Sequence, residues 1–197
     1  MPGAGRTGHD IASLASGKWQ VHLSRRCRIG SYTGLVPGPR FHLVLLNPEI
    51  PNNTGNIGRT AAATGCRLHI VHPIGFDMSE RARRRAGLDY WHLVDCVEHA
   101  SWQAFLDAEQ PQRLWLYTTK SSRPHWQADL RSGDYLVFGR ETHGVDDAVH
   151  DWVAATYGQD RRITLPMIDG ARSLNLSTVV CAAVYEGLRQ LSAHHTV

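Results

Sequence analysis

The chain reads RITLPMIDGARSLNLSTVVCAAVYE over residues 162–186, and this stretch decides the fold. Its pattern predicts a short strand at 163–165, a polar loop containing Pro166, and a largely apolar helix from about Leu174. A helix that is apolar on nearly every face must bury most of its length, so we expect the preceding loop to be pinned against the core. Polar loops in front of buried helices often bind ligands.

Outward from this stretch, the earlier sequence begins with a strand, helix, strand unit. Residues 41–46 form an apolar run that is typical of a strand covered on both faces. A helix follows, with Asn53 as its expected N-cap and Gly65 as its C-terminal stop. Residues 67–72 predict the next strand, which pairs in parallel with the first through a right-handed crossover.

The same alternation continues toward the C-terminal stretch. The further predicted elements are a basic helix at 79–86, a strand at 91–94, a helix at 102–109 and strands at 113–117 and 135–138. This order predicts an α/β protein with a doubly wound, three-layer parallel sheet that has helices on both faces. In such sheets, ligands bind beyond the carboxyl ends of the strands.

Composition divides the chain into one domain and two terminal segments. Residues 41–191 contain no repeat and no interior linker, so they form one predicted domain. Residues 1–40 are rich in Gly, Pro and Arg, which favours a flexible extension. An RNA-binding arm and a start codon placed too far upstream are alternatives for this segment. Residues 192–197 are expected to form a tail.

Bulk composition excludes several kinds of site. The 197 residues are 42% hydrophobic and carry a net charge of +3, which permits a polyanionic partner without requiring one. The four cysteines form no CxxC pair and the twelve histidines no HExxH motif, so we expect reduced cysteines and no metal. No apolar run of about eighteen residues is present, and no signal peptide, so we expect a cytoplasmic protein without a membrane partner.

Four polar or glycine-rich loops follow the carboxyl ends of predicted strands. They comprise residues 52–59, 118–120, 139–144 and 166–175. Gly139 directly after a strand would let a ligand approach the backbone closely, and Gly144 lets the chain turn again. The sequence lacks GxGxxG after the first strand, the phosphate-binding GxxxxGK[ST] and the GxSxG elbow. It therefore disfavours dinucleotide-binding enzymes, P-loop enzymes and serine hydrolases.

Three motifs in these loops resemble those of the SPOUT RNA methyltransferases. They are NTGNIGR at 53–59, FGRETHG at 138–144, and LPM at 165–167 followed by RSLNLS at 172–177. Two further segments, RRRAGLDYW at 83–91 and TTK at 118–120, resemble the TrmL branch of tRNA wobble-nucleotide 2′-O-methyltransferases. The resemblance covers residues 41–191.

The resemblance implies a C-terminal trefoil knot, S-adenosylmethionine bound in that knot, and a homodimer whose site is shared between subunits. It also implies that the enzyme methylates the ribose of the wobble cytidine or modified uridine in the tRNA anticodon loop. The general rule that chains do not thread loops would not have predicted a knot. A methyltransferase for another tRNA position or for ribosomal RNA, and an inactive RNA-binding relative, are the alternative functions.

Carried over residue by residue, the resemblance assigns three groups of site residues. The cofactor pocket is expected to contain Tyr117, Gly139, Glu141, Leu165, Met167, Ser173 and Leu174. The expected catalytic residues are Arg59, Asn175 and Tyr185. RNA contacts are expected from Asn53, Asn56, Arg81, Arg83, Arg84 and Arg85, with Lys120 and Arg123 as weaker candidates.

Several of these residues have two interpretations. Arg59 is either a general base or a bidentate clamp on the phosphate beside the target ribose. We favour the clamp, because a guanidinium stays protonated near neutral pH. Tyr185 is either a core residue or a residue whose hydroxyl faces the partner subunit. Leu165 and Met167 are either core residues or part of a purine-binding surface. The arginine run is either an RNA-binding surface, a solvated helix face or an interface element.

Overall fold

The computed structural model describes residues 38–193. Its sheet has six strands: β1 Phe41–Leu46, β2 Arg67–Val71, β3 Cys96–His99, β4 Leu114–Tyr117, β5 Asp134–Phe138 and β6 Arg162–Ile163. They lie in the order β3-β2-β1-β5-β4-β6, and all five pairings are parallel. The predicted parallel α/β sheet is therefore confirmed.

Helices cover both faces of this sheet. They are α1 Pro51–Thr64, α2 Glu80–Arg85, α3 Trp102–Glu109, α4 Asp147–Tyr157 and α5 Leu176–Ala193. One buried cluster joins the sheet to α1 and α5, through residues such as Ile57 and Val184. A second cluster joins the opposite face to α3 and α4, through Phe105 and Val153. These two cores give the three predicted layers. Within residues 38–193, no helix is long and apolar enough to cross a membrane.

Local sequence signals placed several elements correctly. β1 and α3 begin and end at the predicted residues, and β2, β4 and β5 do so to within one residue. Ser79 caps α2, because its side chain accepts a hydrogen bond from the Ala82 amide. Gly65 ends α1 in the left-handed conformation, with φ of 70°, as predicted.

The predicted N-cap of α1 is wrong. The helix begins at Pro51, whose missing amide hydrogen costs nothing at the first helical position, and Ile50 precedes it without a side-chain cap. Asn53 therefore lies inside the first turn, where it is buried. Its side chain is free to bond with other parts of the chain, as described below.

The predicted strand at 91–94 is also wrong. Residues Asp89–Leu93 form a 3-10 helix, and the edge strand is β3. The aromatic side chains of this segment pack against α1 instead of entering the sheet. A Cβ added to Gly58 would lie 2.6 Å from the Trp91 ring, and the Tyr90 hydroxyl donates a hydrogen bond of 2.7 Å to the Gly55 carbonyl.

The C-terminal stretch differs from the prediction in three ways. β6 is shorter than the strand predicted at 163–165, and α5 begins two residues later than predicted. The buried residues of α5 are only Val180, Ala183, Val184 and Gly187. The prediction that the helix buries most of its length is therefore wrong for the single chain, because one stripe packs on the sheet and the opposite face is open. The loop before α5 is mostly exposed, so it is not pinned against the core.

Two further predictions lie mainly outside the described residues. The flexible extension at 1–40 and the tail at 192–197 remain predictions, as does the state of Cys27. The other three cysteines, Cys66, Cys96 and Cys181, are free thiols, as expected.

Candidate functional site

A cavity of about 580 Å³ lies at the carboxyl ends of four neighbouring strands, β1, β5, β4 and β6. Its volume is in the range typical of small-molecule sites. Each of the four predicted loops contributes to its lining, the first through Asn53. All seven residues predicted for the cofactor pocket line this cavity: Tyr117, Gly139, Glu141, Leu165, Met167, Ser173 and Leu174. Asn175 and Lys120 line it as well.

The loop after β5 closes tightly on itself. The Arg140 amide donates to the Gly144 carbonyl at 3.1 Å, and the Gly144 amide donates back to the Arg140 carbonyl at 2.9 Å. A Cβ on Gly139 would lie 2.3 Å from the Gly144 carbonyl carbon. The close approach that requires glycine at this position is therefore made by the loop itself.

Glu141 accepts hydrogen bonds from the start of α1, although it is far from that helix in sequence. Its carboxylate accepts hydrogen bonds from the Glu49 amide at 2.9 Å, the Ile50 amide at 3.3 Å and the Asn53 side-chain amide at 2.9 Å. A carboxylate at this place satisfies free backbone donors and complements the positive end of the helix dipole. Glu49 joins the same two loops in the opposite direction, because its carboxylate accepts hydrogen bonds from the amide and hydroxyl of Thr142. The loops after β1 and β5 are thus fastened together.

Asn53 extends this connection to the start of α5. Its side-chain oxygen accepts a hydrogen bond of 2.9 Å from Asn175. The Asn175 oxygen in turn accepts from the amides of Ser177 and Thr178, which caps α5. Glu141, Asn53 and Asn175 therefore join three loops of the cavity in one chain of hydrogen bonds. Both polar atoms of the buried Asn53 amide are used inside the protein, which argues against the predicted RNA contact.

Three polar atoms of lining residues lack partners within residues 38–193, and one of them is Arg140 Nε. The Tyr117 hydroxyl is buried and unpaired, and burial raises its pKa well above the ordinary value. His150 Nδ1 is also buried and unpaired, and burial lowers the pKa of this histidine. Unpaired buried polar atoms in a cavity wall are hydrogen-bonding sites for a ligand. The apolar Leu165, Met167 and Leu174 line the same cavity.

This lining fits S-adenosylmethionine, which combines a flat apolar purine with hydroxyl, carboxylate and ammonium groups. Apolar side chains suit the purine, and the unpaired Tyr117 hydroxyl and the polar loop residues suit the other groups. The alternative in which Leu165 and Met167 belong to the core does not describe them fully, because both are only partly buried and face the cavity.

Arg59 and Tyr185 do not line the cavity of their own chain. Arg59 is exposed on α1, and its guanidinium carbon lies 4.2 Å from the centre of the Tyr90 ring. Tyr185 is 54% exposed on α5, so its interpretation as a core residue is wrong. Of the three predicted catalytic residues, only Asn175 reaches this cavity, and its side chain is occupied in capping α5.

A basic surface lies beside Arg59. Arg81, Arg84 and Arg85 are exposed on or near α2, and the Arg83 guanidinium lies 5.7 Å from the Trp91 ring centre. Because Tyr90 and Trp91 both pack on α1, the arginine run is held next to the exposed side of that helix.

Several of the basic candidates have partners within the chain. The Arg83 guanidinium donates to the Met78 carbonyl, and Arg84 forms an exposed ion pair with Glu80. Lys120 pairs with Asp147 at 2.6 Å in an exposed ion pair at the cavity rim. The Arg123 guanidinium donates to the backbone carbonyls of Asp160 and Gln127. These contacts favour a structural role for Arg123.

One functional element was missed by the sequence reasoning. α4 carries His150 into the cavity wall, but no helix was predicted at this place. The sequence did carry a signal. Asp146 and Asp147 are typical of a helix start, and Val149, Trp152 and Val153 follow at the spacing of one helix face.

Fold and site together define an α/β protein with a cofactor-sized cavity at the carboxyl edge of a parallel sheet. The chain belongs to the SpoU rRNA methylase family, whose model matches residues 40–185. Its predicted membership of a class of RNA methyltransferases is thereby confirmed.

Individual relatives agree with this family. The tRNA (cytidine(34)-2′-O)-methyltransferase of Saccharophagus degradans is 44% identical over 151 residues, which are 77% of this chain and 96% of that protein. The enzyme of the same description from Escherichia coli is 46% identical, over 77% of this chain and 94% of that protein. A solved structure on the 2-OH methylation of C/U34 on tRNA is 42% identical, with a TM-score of 0.69, and the match covers 78% of this chain and 97% of that one.

Proposed function

We propose that this protein transfers a methyl group from S-adenosylmethionine to the ribose 2′-hydroxyl of the tRNA wobble nucleotide, a cytidine or uridine at position 34. The observation that carries the proposal is the convergence of the three methyltransferase motifs on one cavity. The relatives that are 44% and 46% identical over about three quarters of the chain support the choice of substrate.

The bound cofactor would supply an electrophilic methyl group on a sulfonium centre. Tyr117, Ser173 and the loop after β5 would hold its polar groups, and Leu165, Met167 and Leu174 would cover the purine. The chain of hydrogen bonds from Glu141 through Asn53 to Asn175 keeps the three loops in register, so the donor and the ribose are aligned before reaction. Asn175 is therefore a positioning residue in this proposal.

We also propose that the segment after β6 passes through the preceding chain as a trefoil knot. Membership of the SpoU family supports this. Contacts between β6 and the segment after β4 support it as well. The Ser121 hydroxyl donates to the Arg162 carbonyl at 2.7 Å. The Thr164 amide donates to the Arg123 carbonyl, and the His125 amide donates to the Thr164 carbonyl.

The proposed active form is a homodimer. Apolar side chains are exposed along α5 and the loop before it, with Ile168 84% and Tyr185 54% exposed. Exposed apolar residues that lie together on one face are typical of an interface. A dimer would also explain why Arg59 lies outside the cavity of its own chain, because it would act in the cavity of the other subunit.

In this shared site, Arg59 would clamp the phosphate beside the target ribose and offset negative charge that develops on the attacking oxygen. Asn56 is exposed one turn earlier on α1 and would contact the same RNA segment. The adjacent arginines of α2 would bind neighbouring phosphates, and Lys120 at the cavity rim would assist them. We place this reaction in the cytoplasm and assign it to the domain at residues 41–191.

The proposal is tested with labelled S-adenosylmethionine and total tRNA from cells that lack this methylation, followed by nucleoside mapping. We expect label at the wobble ribose. Label in another tRNA nucleotide or in ribosomal RNA would favour the alternative substrates, and absence of S-adenosylmethionine binding in calorimetry would favour an inactive relative.

The variant Arg59→Ala tests the assigned role of this arginine. It should abolish methylation while affinity for S-adenosylmethionine survives, because in the proposed site Arg59 contacts the RNA phosphate and not the cofactor. Arg131→Ala is the matched control, since Arg131 is an exposed arginine paired with Asp129 and lies outside the cavity lining. Unchanged turnover of Arg59→Ala would contradict the assignment.

A further inference from the structure

A row of three histidines crosses the neighbouring strands β1, β2 and β3, of which only β1 also frames the cavity. His42 on β1 places Nδ1 2.9 Å from Nε2 of His69 on β2, and Nδ1 of His69 lies 3.0 Å from Nε2 of His99 on β3. Glu109, the last residue of α3, lies beside the row, with Oε1 3.8 Å from His69 Nδ1 and 4.0 Å from His99 Nε2. None of the four lines the proposed methyltransferase cavity.

Three of these atoms have the spacing of a metal coordination site. His69 Nδ1, His99 Nε2 and Glu109 Oε1 form a triangle with sides of 3.0, 3.8 and 4.0 Å. The point equidistant from its corners lies about 2.1 Å from each, which matches zinc–nitrogen and zinc–oxygen bond lengths. His42, His69 and Glu109 form a second, overlapping group, whose ligand atoms all lie within 4.8 Å of one another.

His69 Nδ1 and His99 Nε2 share a hydrogen bond of 3.0 Å, so a metal ion would displace the proton between them. The Tyr135 hydroxyl donates to Glu109 Oε2 at 3.0 Å, so Oε1 remains free. His69 Nε2 lies at hydrogen-bond distance from His42 Nδ1. When Nε2 of His69 carries the ring hydrogen and donates it to His42, Nδ1 of His69 keeps its lone pair. Ligating histidines usually donate their second ring nitrogen to such an outer partner, which fixes their tautomer.

The electrostatic surroundings of the cluster also suit a cation, because Glu109 supplies a carboxylate beside the two imidazoles. Within residues 38–193, no lysine or arginine forms an ion pair with Glu109.

Glu109 is the most exposed of the three side chains. It is 17% exposed, whereas those of His69 and His99 are 0% and 5% exposed. An ion would therefore approach the triangle from the side of this carboxylate.

We propose that His69, His99 and Glu109 form a binding site for a divalent transition-metal ion, with Zn²⁺ as the preferred ion. Two imidazoles and one carboxylate are a ligand set that zinc accepts, and a water molecule would complete the coordination. Because the ligands come from β2, β3 and α3, the ion would fasten the helix to the edge of the sheet. The site is distinct from the methyl-transfer cavity and would act on stability.

The test is calorimetric titration of the chelator-treated, full-length protein with Zn²⁺, together with the thermal midpoint with and without Zn²⁺. We expect tight binding of one ion at this site and a higher midpoint. Glu109→Gln keeps the side-chain volume and removes the charge, and it should weaken Zn²⁺ affinity by at least about tenfold. Its methylation activity should equal that of the original protein, which shows that the variant is folded.

His72→Ala is the matched control, because His72 is a surface histidine that pairs with Glu98 at 2.8 Å and offers an adventitious chelate on the same half of the sheet. It should bind Zn²⁺ as the original protein does. If Glu109→Gln does not fold, His99→Gln replaces it with the same expectation. Absence of tight Zn²⁺ binding, or equal affinity in the cluster variant, would overturn the proposal.

Discussion

The substitution Asn53→Asp tests the chain of hydrogen bonds that holds the cavity together. It changes a single side-chain group, so that the amide nitrogen now 2.9 Å from Glu141 Oε1 becomes a carboxylate oxygen. Two carboxylates at this separation cannot both be ionised cheaply, so the pair would retain one proton. The contact that Asn175 donates to the other oxygen is preserved.

The magnitude follows from the raised pKa of the shared proton. A rise of about two units above the unfolded value of about 3.9 corresponds to about 3 kcal/mol. A group whose pKa is higher in the folded state loses stability as pH rises from the unfolded pKa to the folded pKa. The expected loss is therefore near zero below pH 4, about 1.5 kcal/mol at pH 5 and about 3 kcal/mol at pH 8.

Urea unfolding of the variant and the original protein, compared at pH 5 and pH 8, measures this difference. Asn56→Asp is the matched control, because Asn56 is exposed on the same helix, and its free energy of unfolding should change by less than about 0.5 kcal/mol at either pH. S-adenosylmethionine affinity of Asn53→Asp should fall most at pH 8, since the cavity loops separate. Equal losses at both pH values, or a loss no greater than that of the control, would refute the reasoning.

Two further predictions concern acid stability and RNA binding. The pKa values of His42 and His69 fall from 6.5 to about 4 and about 3 on folding. The free energy of unfolding, measured in the presence of chelator, should therefore drop by about 2 kcal/mol per histidine as the pH is lowered from 7.5 to 5. A free energy of unfolding that does not change over this range would contradict the prediction. Replacing Arg83, Arg84 and Arg85 together by Ala should weaken tRNA binding and reduce the slope of log affinity against log salt by about two to three. An unchanged slope would exclude this surface as the phosphate contact.

Local patterns predicted the sheet well and the long-range contacts poorly. The apolar run of β1 and the capped, amphipathic α3 depend on neighbouring residues, so both were placed at their true bounds. The convergence of four loops followed from the rule for carboxyl ends of parallel strands. The prediction of Asn53 as the N-cap of α1 was wrong, because its partners, Glu141 and Asn175, are 88 and 122 residues away in sequence and leave no local signal.

Tertiary packing explains the remaining differences. Tyr90 and Trp91 have the aromatic side chains of a strand, but Gly55 and Gly58 open a surface on α1 that binds them instead. The apolar composition of α5 predicted burial along most of the helix, but only Val180, Ala183, Val184 and Gly187 are buried. Composition alone does not show how wide a stripe of a helix packs on the sheet.

Methyl transfer to a synthetic anticodon stem-loop tests the central claim most directly. Two RNAs of the same sequence are compared with labelled S-adenosylmethionine, one with ribose and one with 2′-deoxyribose at the wobble nucleotide. The proposed reaction predicts incorporation of label into the ribose RNA and none into the deoxy RNA, with comparable binding of both. Equal incorporation into the two RNAs would contradict methylation of the wobble 2′-hydroxyl.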